Sequence, residues 1–144
     1  YLDGERTPNR PDATGVLSGL RSDVSREEFA RAAVDGVACG LLDALDSLRT
    51  NSALDGRLML TGGGAHSRAL QAVIAGLVDA EVVVADVGQA VATGAAVQAA
   101  AVVQGCDHRT IQQQWGLGSG TTVDHAVDSG ALRERYGELR DSTA

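Results

Sequence analysis

The segment Leu58-Met-Leu-Thr-Gly-Gly-Gly-Ala65 decides how this chain is expected to fold. A short apolar run leads into three consecutive glycines, and a helix is predicted to start near His66 or Ser67. One face of that helix is apolar and consists of Leu70, Val73, Ile74, Leu77 and Val78. Glycine lets the backbone approach a ligand closely, and the free N–H groups of a helix N-terminus attract negative charge. We call residues 62–65 the glycine turn. It predicts either a nucleotide or phosphate site or a strand-to-helix turn without a ligand.

Helices and strands alternate on both sides of this segment. Ser25 and Glu28 form a predicted capping box, and apolar residues then recur at helical spacing up to about Arg49. Val82–Ala85 is rich in β-branched residues and predicts a second buried strand. A helix of small residues follows over about residues 89–104. This alternation predicts an α/β fold in which helices cover a sheet.

The two ends of the chain carry weaker signals. Residues 1–24 contain both prolines and predict an ordered loop rather than a helix. After Gly105 the composition changes, and we expect a C-terminal tail over residues 108–144. This tail is predicted to end in an amphipathic helix around Leu132, Tyr136 and Leu139. The chain is thus divided into a main unit over residues 1–107 and the tail.

Composition excludes several classes of function. Hydrophobic residues make up 44% of the 144 residues and aromatic residues 3%, so the core must consist mainly of Ala, Val and Leu. A net charge of −7 without a basic block argues against nucleic acid and anionic membrane partners. No apolar run is long enough to span a bilayer. Cys39 and Cys106 are far apart and the histidines are isolated, which argues against a disulfide scaffold or a metal site. A reducing cytoplasm fits this pattern best.

Two nucleotide-binding motifs fail at the glycine turn. A P-loop requires a Lys that the turn lacks, and Ser67 stands where the dinucleotide fingerprint requires its third glycine. Asp86, however, follows the second predicted strand, where the dinucleotide fold places its ribose-binding acid. A dinucleotide-binding oxidoreductase domain therefore stays open as an alternative. So does a non-catalytic binding or assembly module.

Charged residues on the first and last predicted helices are interpreted as structural rather than catalytic. Asp43 and Asp46 are interpreted as solvated, and Asp35 as the acceptor of a structural hydrogen bond. The stretch from Arg133 to Arg140 mixes charges of both signs and is interpreted as a solvated helix face.

Three stretches resemble the FGGY carbohydrate kinases of the actin-like ATPase superfamily. Tyr1-Leu-Asp-Gly-Glu-Arg-Thr-Pro8 is similar to the G-E-R-T-P segment typical of xylulose kinases. Gly15-Val-Leu-Ser-Gly-Leu20, followed after seven residues by Glu28-Phe29 and then by Ala32-Ala-Val-Asp35, is similar to the family's second signature. The third stretch is the glycine turn together with Ala92-Thr-Gly-Ala-Ala96, which resembles the adenosine motif and the helix after it.

The resemblance implies a role for the glycine turn. Gly62, Gly63, Gly64 and Ala65 match the turn that holds adenosine in the family, and Arg68 matches a variable position near the adenine edge. The implied fold is part of a ribonuclease-H-like, actin-like ATPase lobe. The implied activity is transfer of the γ-phosphate of ATP, with Mg²⁺, to a hydroxyl group of a small ketose.

The resemblance also implies that catalysis depends on residues outside this chain. The family's catalytic Asp and first phosphate loop lie in the N-terminal lobe, and a second phosphate loop precedes the region seen here. The chain starts at Tyr1 without a Met, and we expect a fragment that needs the N-terminal lobe and is inactive alone. A cytoplasmic location is implied, and a homodimer is left open.

Overall fold

The structure is a computed structural model that describes residues 3–6, 9–52, 56–124 and 130–142. Four residues of the first resembling stretch lie outside these ranges, namely Tyr1, Leu2, Thr7 and Pro8, and so does His125. The strands are β1 (Asp3–Glu5), β2 (Arg10–Thr14), β3 (Leu58–Leu60), β4 (Val82–Ala85) and β5 (Gly120–Thr122). The helices are α1 (Arg26–Asn51), α2 (Arg68–Leu77), α3 (Ala90–Gln104), α4 (His108–Gln114) and α5 (Gly130–Ser142). A 3₁₀ turn over Gly63–His66 connects β3 with α2.

The central sheet has the strand order β3-β4-β5. β3 and β4 are parallel, with Leu58 opposite Val82 and Leu60 opposite Val84, and α2 connects them. β5 runs antiparallel along the other edge of β4. Because parallel strands point the same way, the segments that follow Leu60 and Ala85 leave the sheet at the same edge. The predicted α/β fold is therefore confirmed.

The boundaries of two helices follow signals that are visible in the sequence. The Ser25 hydroxyl accepts a hydrogen bond from the Glu28 N–H at 3.2 Å, and the Glu28 carboxylate accepts one from the Ser25 N–H at 2.8 Å. The Ser25 hydroxyl also donates to the Glu28 carboxylate at 2.7 Å. The hydrogen bonds from the Ser25 backbone N–H and from this hydroxyl lower the pKa of Glu28, because both favour the ionised carboxylate. The second boundary is the C-terminus of α3, where Gly105 ends the helix in the left-handed conformation with φ 62°. Both predicted boundaries are confirmed.

The main core lies between α1, α2 and one face of the sheet. Its buried residues are small and aliphatic, as the composition predicts: Ala38, Leu42, Val73, Ile74, Ala75, Val78 and Val82. Leu58 and Leu60 pack against this core, and alternation along a strand turns Met59 to the opposite face. On that face α3 and α4 pack together around Val97, Ala101 and Ile111.

Both cysteines are free thiols in the structure. Cys39 lies completely buried on α1, and burial raises the pKa of its thiol to about 11. The thiol is therefore protonated and unreactive at neutral pH.

Both ends of the chain contain more regular structure than predicted. β1 and β2 form an antiparallel ribbon within residues 1–24, where we predicted a loop. α4 and β5 lie within the predicted tail, whose terminal helix is confirmed as α5. β5 was missed because glycine usually indicates a turn. Here a Cβ on Gly120 would collide with the Val84 carbonyl, so glycine permits the close approach of β5 to β4. The division at residue 107 stays a prediction.

Two helices expose apolar faces within the described part of the chain. On α1 the exposed stripe consists of Phe29, Val37, Leu41 and Leu48, each 49% to 59% exposed. On α3 the exposed residues are Val91, Val102 and Val103. Contiguous apolar surface of this kind is typical of faces that pack against other polypeptide.

Asp43 on α1 binds two arginines of α5. Arg133 Nη2 donates to Asp43 Oδ1 at 3.0 Å, and Arg140 Nη1 donates to Asp43 Oδ2 at 2.7 Å. The Asp43 side chain is only 9% exposed, so the prediction that it is solvated was wrong. Arg133 also donates to Asp46 at 2.7 Å, so α5 is not simply a solvated face. Asp35 does accept a structural hydrogen bond, from Arg31 at 2.6 Å, as predicted.

We predict that Asp43→Ala lowers the free energy of unfolding by about 2 kcal/mol, because it leaves two partly buried guanidinium groups without their shared acceptor. Asp23→Ala is the matched control. Its pair with Arg21 is exposed at both ends, and it should change stability by less than about 0.5 kcal/mol. Urea unfolding followed by circular dichroism measures both. Equal effects of the two variants would show that the Asp43 pairs do not attach α5 to α1.

Candidate functional site

The glycine turn changes the direction of the chain within a few residues. Gly62 has φ 86° and ψ −179°, a combination that residues with a side chain rarely adopt. The Ala65 N–H donates to the Gly62 carbonyl at 3.1 Å, and the Ser67 N–H donates to the Gly64 carbonyl at 3.1 Å. Glycine at position 62 is therefore required by the backbone conformation itself.

Two side chains fix the backbone where the glycine turn enters α2, one from the N-cap residue and one from the helix itself. The Ser67 hydroxyl accepts a hydrogen bond from the Leu70 N–H at 3.3 Å and caps the helix. Gln71 Nε2 donates to the Ala65 carbonyl at 2.6 Å. Sequence reasoning missed Gln71, although a long amide side chain one turn into a helix is within reach of the residues before it.

Gly63 and Gly64 are exposed to solvent. A Cβ on Gly63 would meet no atom within 4 Å, and one on Gly64 would only touch Leu70 at 3.7 Å, an ordinary contact. Neither residue has a positive φ. Within the described residues, the N–H groups of Gly63 and Gly64 have no acceptor. The packing of the described chain therefore does not explain why these two residues lack side chains.

The structure brings the five predicted site residues together around one turn. Gly62, Gly63 and Gly64 are exposed, while Ala65 is only 6% exposed and anchors the turn. Arg68 lies exposed in the first turn of α2 and makes no hydrogen bond or ion pair with the described residues. This arrangement presents backbone donors and one cation at the helix N-terminus.

A cavity lies on each face of the sheet near the turn. One is a groove of about 440 Å³ between the sheet and the α3–α4 pair, and its lining includes Thr61, Asp86 and Trp115. The other has a volume of about 320 Å³, lies beside α1, and is lined by Gly64, Ala65 and mostly leucines. We call the first the polar groove and the second the leucine cavity. Thr61 lines both.

The described ranges contain neither a metal-binding cluster nor a membrane-spanning helix. No group of three or more His, Cys, Asp or Glu side chains converges there in a way that would hold a metal ion. None of the helices there combines the length and apolar character needed to cross a membrane.

Comparison with known proteins places this geometry in a family. Residues 1–103 match the FGGY family of carbohydrate kinases, C-terminal domain. The chain is 37% identical to the xylulose kinase of Streptomyces coelicolor, over 99% of this chain and 30% of that protein. It is 38% identical to the xylulose kinase of Streptomyces rubiginosus over the same shares. The crystal structure of xylulose kinase from Bifidobacterium adolescentis superimposes with a TM-score of 0.72 at 35% identity, over 97% of this chain and 27% of that one.

The backbone conformation requires glycine at position 62, whereas a side chain at position 63 would only extend into open space. Gly62→Ala should lower the free energy of unfolding by about 1–3 kcal/mol, because alanine disfavours the conformation at this position. Gly63→Ala, its matched neighbour, should stay within about 0.5 kcal/mol of the original protein. Chemical denaturation of both variants checks this. A large loss at Gly63 would mean that packing explains the glycine there.

Proposed function

The chain belongs to the FGGY family of carbohydrate kinases, and on this premise we propose that it is the nucleotide-binding C-terminal part of an ATP-dependent sugar kinase. The reaction would transfer the γ-phosphate of ATP to a ketose hydroxyl. Because both Streptomyces relatives and the Bifidobacterium structure are named xylulose kinases, we propose xylulose as the sugar. The chain spans about 30% of the length of those Streptomyces relatives.

The open space at Gly63 is the observation that supports nucleotide binding most strongly. Two glycines without steric or conformational need stand at the N-terminus of α2 with unpaired N–H groups. Backbone donors at such a terminus suit an anionic ligand, and the missing side chains allow it close approach. Arg68, exposed beside them, adds a positive charge near the same surface. We therefore propose that Gly62, Gly63, Gly64, Ala65 and Arg68 contact the nucleotide.

The chemistry of phosphoryl transfer determines which contribution to the reaction this chain would make. Such reactions depend mainly on positioning the two substrates and neutralising phosphate charge. Mg²⁺, which prefers phosphate oxygens and a few carboxylates, would supply part of that neutralisation. The residues of the glycine turn would hold and orient the nucleotide. We propose that the general base and the phosphate loops belong to the N-terminal lobe of the kinase.

The exposed apolar stripe of α1 is a suitable contact surface for that lobe. β3 is an edge strand of the described sheet, and its free edge can pair with a further strand. The leucine cavity lies between this edge and α1, so one partner can cover the stripe, the edge and the cavity together. The remaining lobe of the kinase is therefore proposed as the main partner of this chain.

Calorimetric titration of the chain with Mg·ATP and with NADH tests the proposal. ATP should bind more tightly than NADH, and Gly63→Val should weaken ATP binding about ten- to a hundredfold, because the added side chain occupies the space of the ligand. Gly36→Val on α1 is the control, since its Cβ also meets open space but lies far along the chain from the turn. Tighter binding of NADH would favour the oxidoreductase alternative. Unchanged ATP binding by a folded Gly63→Val variant would remove the turn from the site.

A further inference from the structure

The ribbon formed by β1 and β2 needs support from another part of the chain. Its strands have three and five residues, and an isolated two-stranded pair of this size is marginally stable in water. The two strands approach each other closely, since a Cβ on Gly4 would lie 2.5 Å from the Pro11 carbonyl oxygen. We therefore expect the ribbon to stay paired only where a further element holds it.

Arg10, the first residue of β2, connects the ribbon to the C-terminal helix. Its Nη1 donates to the backbone carbonyl of Arg140, and its Nη2 lies 3.8 Å from Asp141 Oδ1. The Arg140 carbonyl belongs to the last turn of α5, where the carbonyls have no partner within the helix. The Arg10 guanidinium thus places a positive charge, from 130 residues earlier in the chain, at the negative end of the α5 dipole.

Arg140 extends this connection to α1. Its Nη1 donates to Asp43 Oδ2 at 2.7 Å, and its Nε donates to Asp141 Oδ1 at 2.9 Å. One residue of α5 therefore binds the ribbon through its backbone carbonyl and α1 through its side chain. We call Arg10, Asp43, Arg140 and Asp141 together the α5 clamp.

The two acids of the α5 clamp differ in their exposure to solvent. The Asp43 side chain is 9% exposed, whereas the Asp141 side chain is 62% exposed. A cleft of about 470 Å³, lined only by polar side chains, lies beside both and gives salt ions access. Salt screens exposed ion pairs and charges at helix ends more strongly than buried pairs. Rising ionic strength should therefore weaken the contacts of Arg10 before those of Asp43.

We infer that α5 is a salt-sensitive clamp, which fixes the ribbon to α1 and releases it as a unit when the contacts of Arg10 are lost. α5 itself stays attached to α1 at that point, because the Asp43 pairs are buried and Leu132 packs against the main core. The α5 clamp contains no residue of the glycine turn. It is therefore a conformational device that is separate from the proposed nucleotide site.

Hydrogen exchange measured by mass spectrometry tests the clamp segment by segment. In Arg10→Gln the amides of β1 and β2 should exchange about tenfold faster than in the original chain, while those of α1 and α2 keep their rates. Arg10→Lys retains the positive charge and a donor for the Arg140 carbonyl, so its ribbon should exchange at nearly the original rate. Arg21→Gln is the matched control, because it removes an exposed arginine whose partner, Asp23, is also exposed.

Ionic strength tests the clamp without any substitution. Salt at about 1 M shortens the screening length to about 3 Å, and it should accelerate exchange in the ribbon of the original chain about as much as Arg10→Gln does at low salt. Equal ribbon exchange in Arg10→Gln and Arg21→Gln would overturn the inference, as would ribbon amides that are unprotected in the original chain at low salt. A salt effect of equal size in the ribbon and in α2 would also overturn it, since that result indicates general destabilisation. If circular dichroism shows that Arg10→Gln is unfolded, the salt series decides.

Discussion

The parallel pairing of β3 with β4 is the constraint on which the rest of the structure depends. The register pairs Leu58 with Val82 and Leu60 with Val84. It therefore aligns the ends of the two strands. The alignment places the glycine turn and Asp86 at one edge of the sheet. It also divides the strand side chains between two faces, so that one builds the core with α1 and α2 and the other lines the polar groove. A slip of one residue would exchange these faces and remove both features.

The elements around this pair differ in how they are attached. α2 is held by the main core and, through Gln71, by a hydrogen bond to the turn. α5 is attached both by ion pairs, since Asp43 accepts from Arg133 and from Arg140, and by Leu132, which packs against the main core. The outer faces of α1 and α3 remain apolar and exposed. The described part of the chain thus combines a buried core with exposed apolar helix faces of the kind that pack against other polypeptide.

Sequence reasoning identified the features that depend on neighbours along the chain. The capping box at Ser25, the apolar run of β3 and the left-handed Gly105 are local signals, and each marks a boundary in the structure. The glycine turn belongs to the same class, since its residues are consecutive. The nucleotide-binding role that we propose for it rests on resemblance and on the open space at Gly63.

Features that depend on distant residues were not predictable in this way. Asp43 looked solvated because its partners lie about a hundred residues later, on another helix. β5 was missed because the steric need for Gly120 arises only when β4 lies beside it. α4 looked like part of a tail because its position depends on how Ile111 packs against α3. Pattern and propensity do not specify which surfaces meet in space.

The central claim is that a nucleotide binds at the carboxyl edge of β3 and β4. Nuclear magnetic resonance of the ¹⁵N-labelled chain titrated with Mg·ADP tests it most directly, because backbone amide shifts report binding residue by residue. The account predicts that the shifts cluster in residues 61–68. Shifts confined to the α1–α5 contact, or no shift at a concentration that saturates binding in calorimetry, would contradict it.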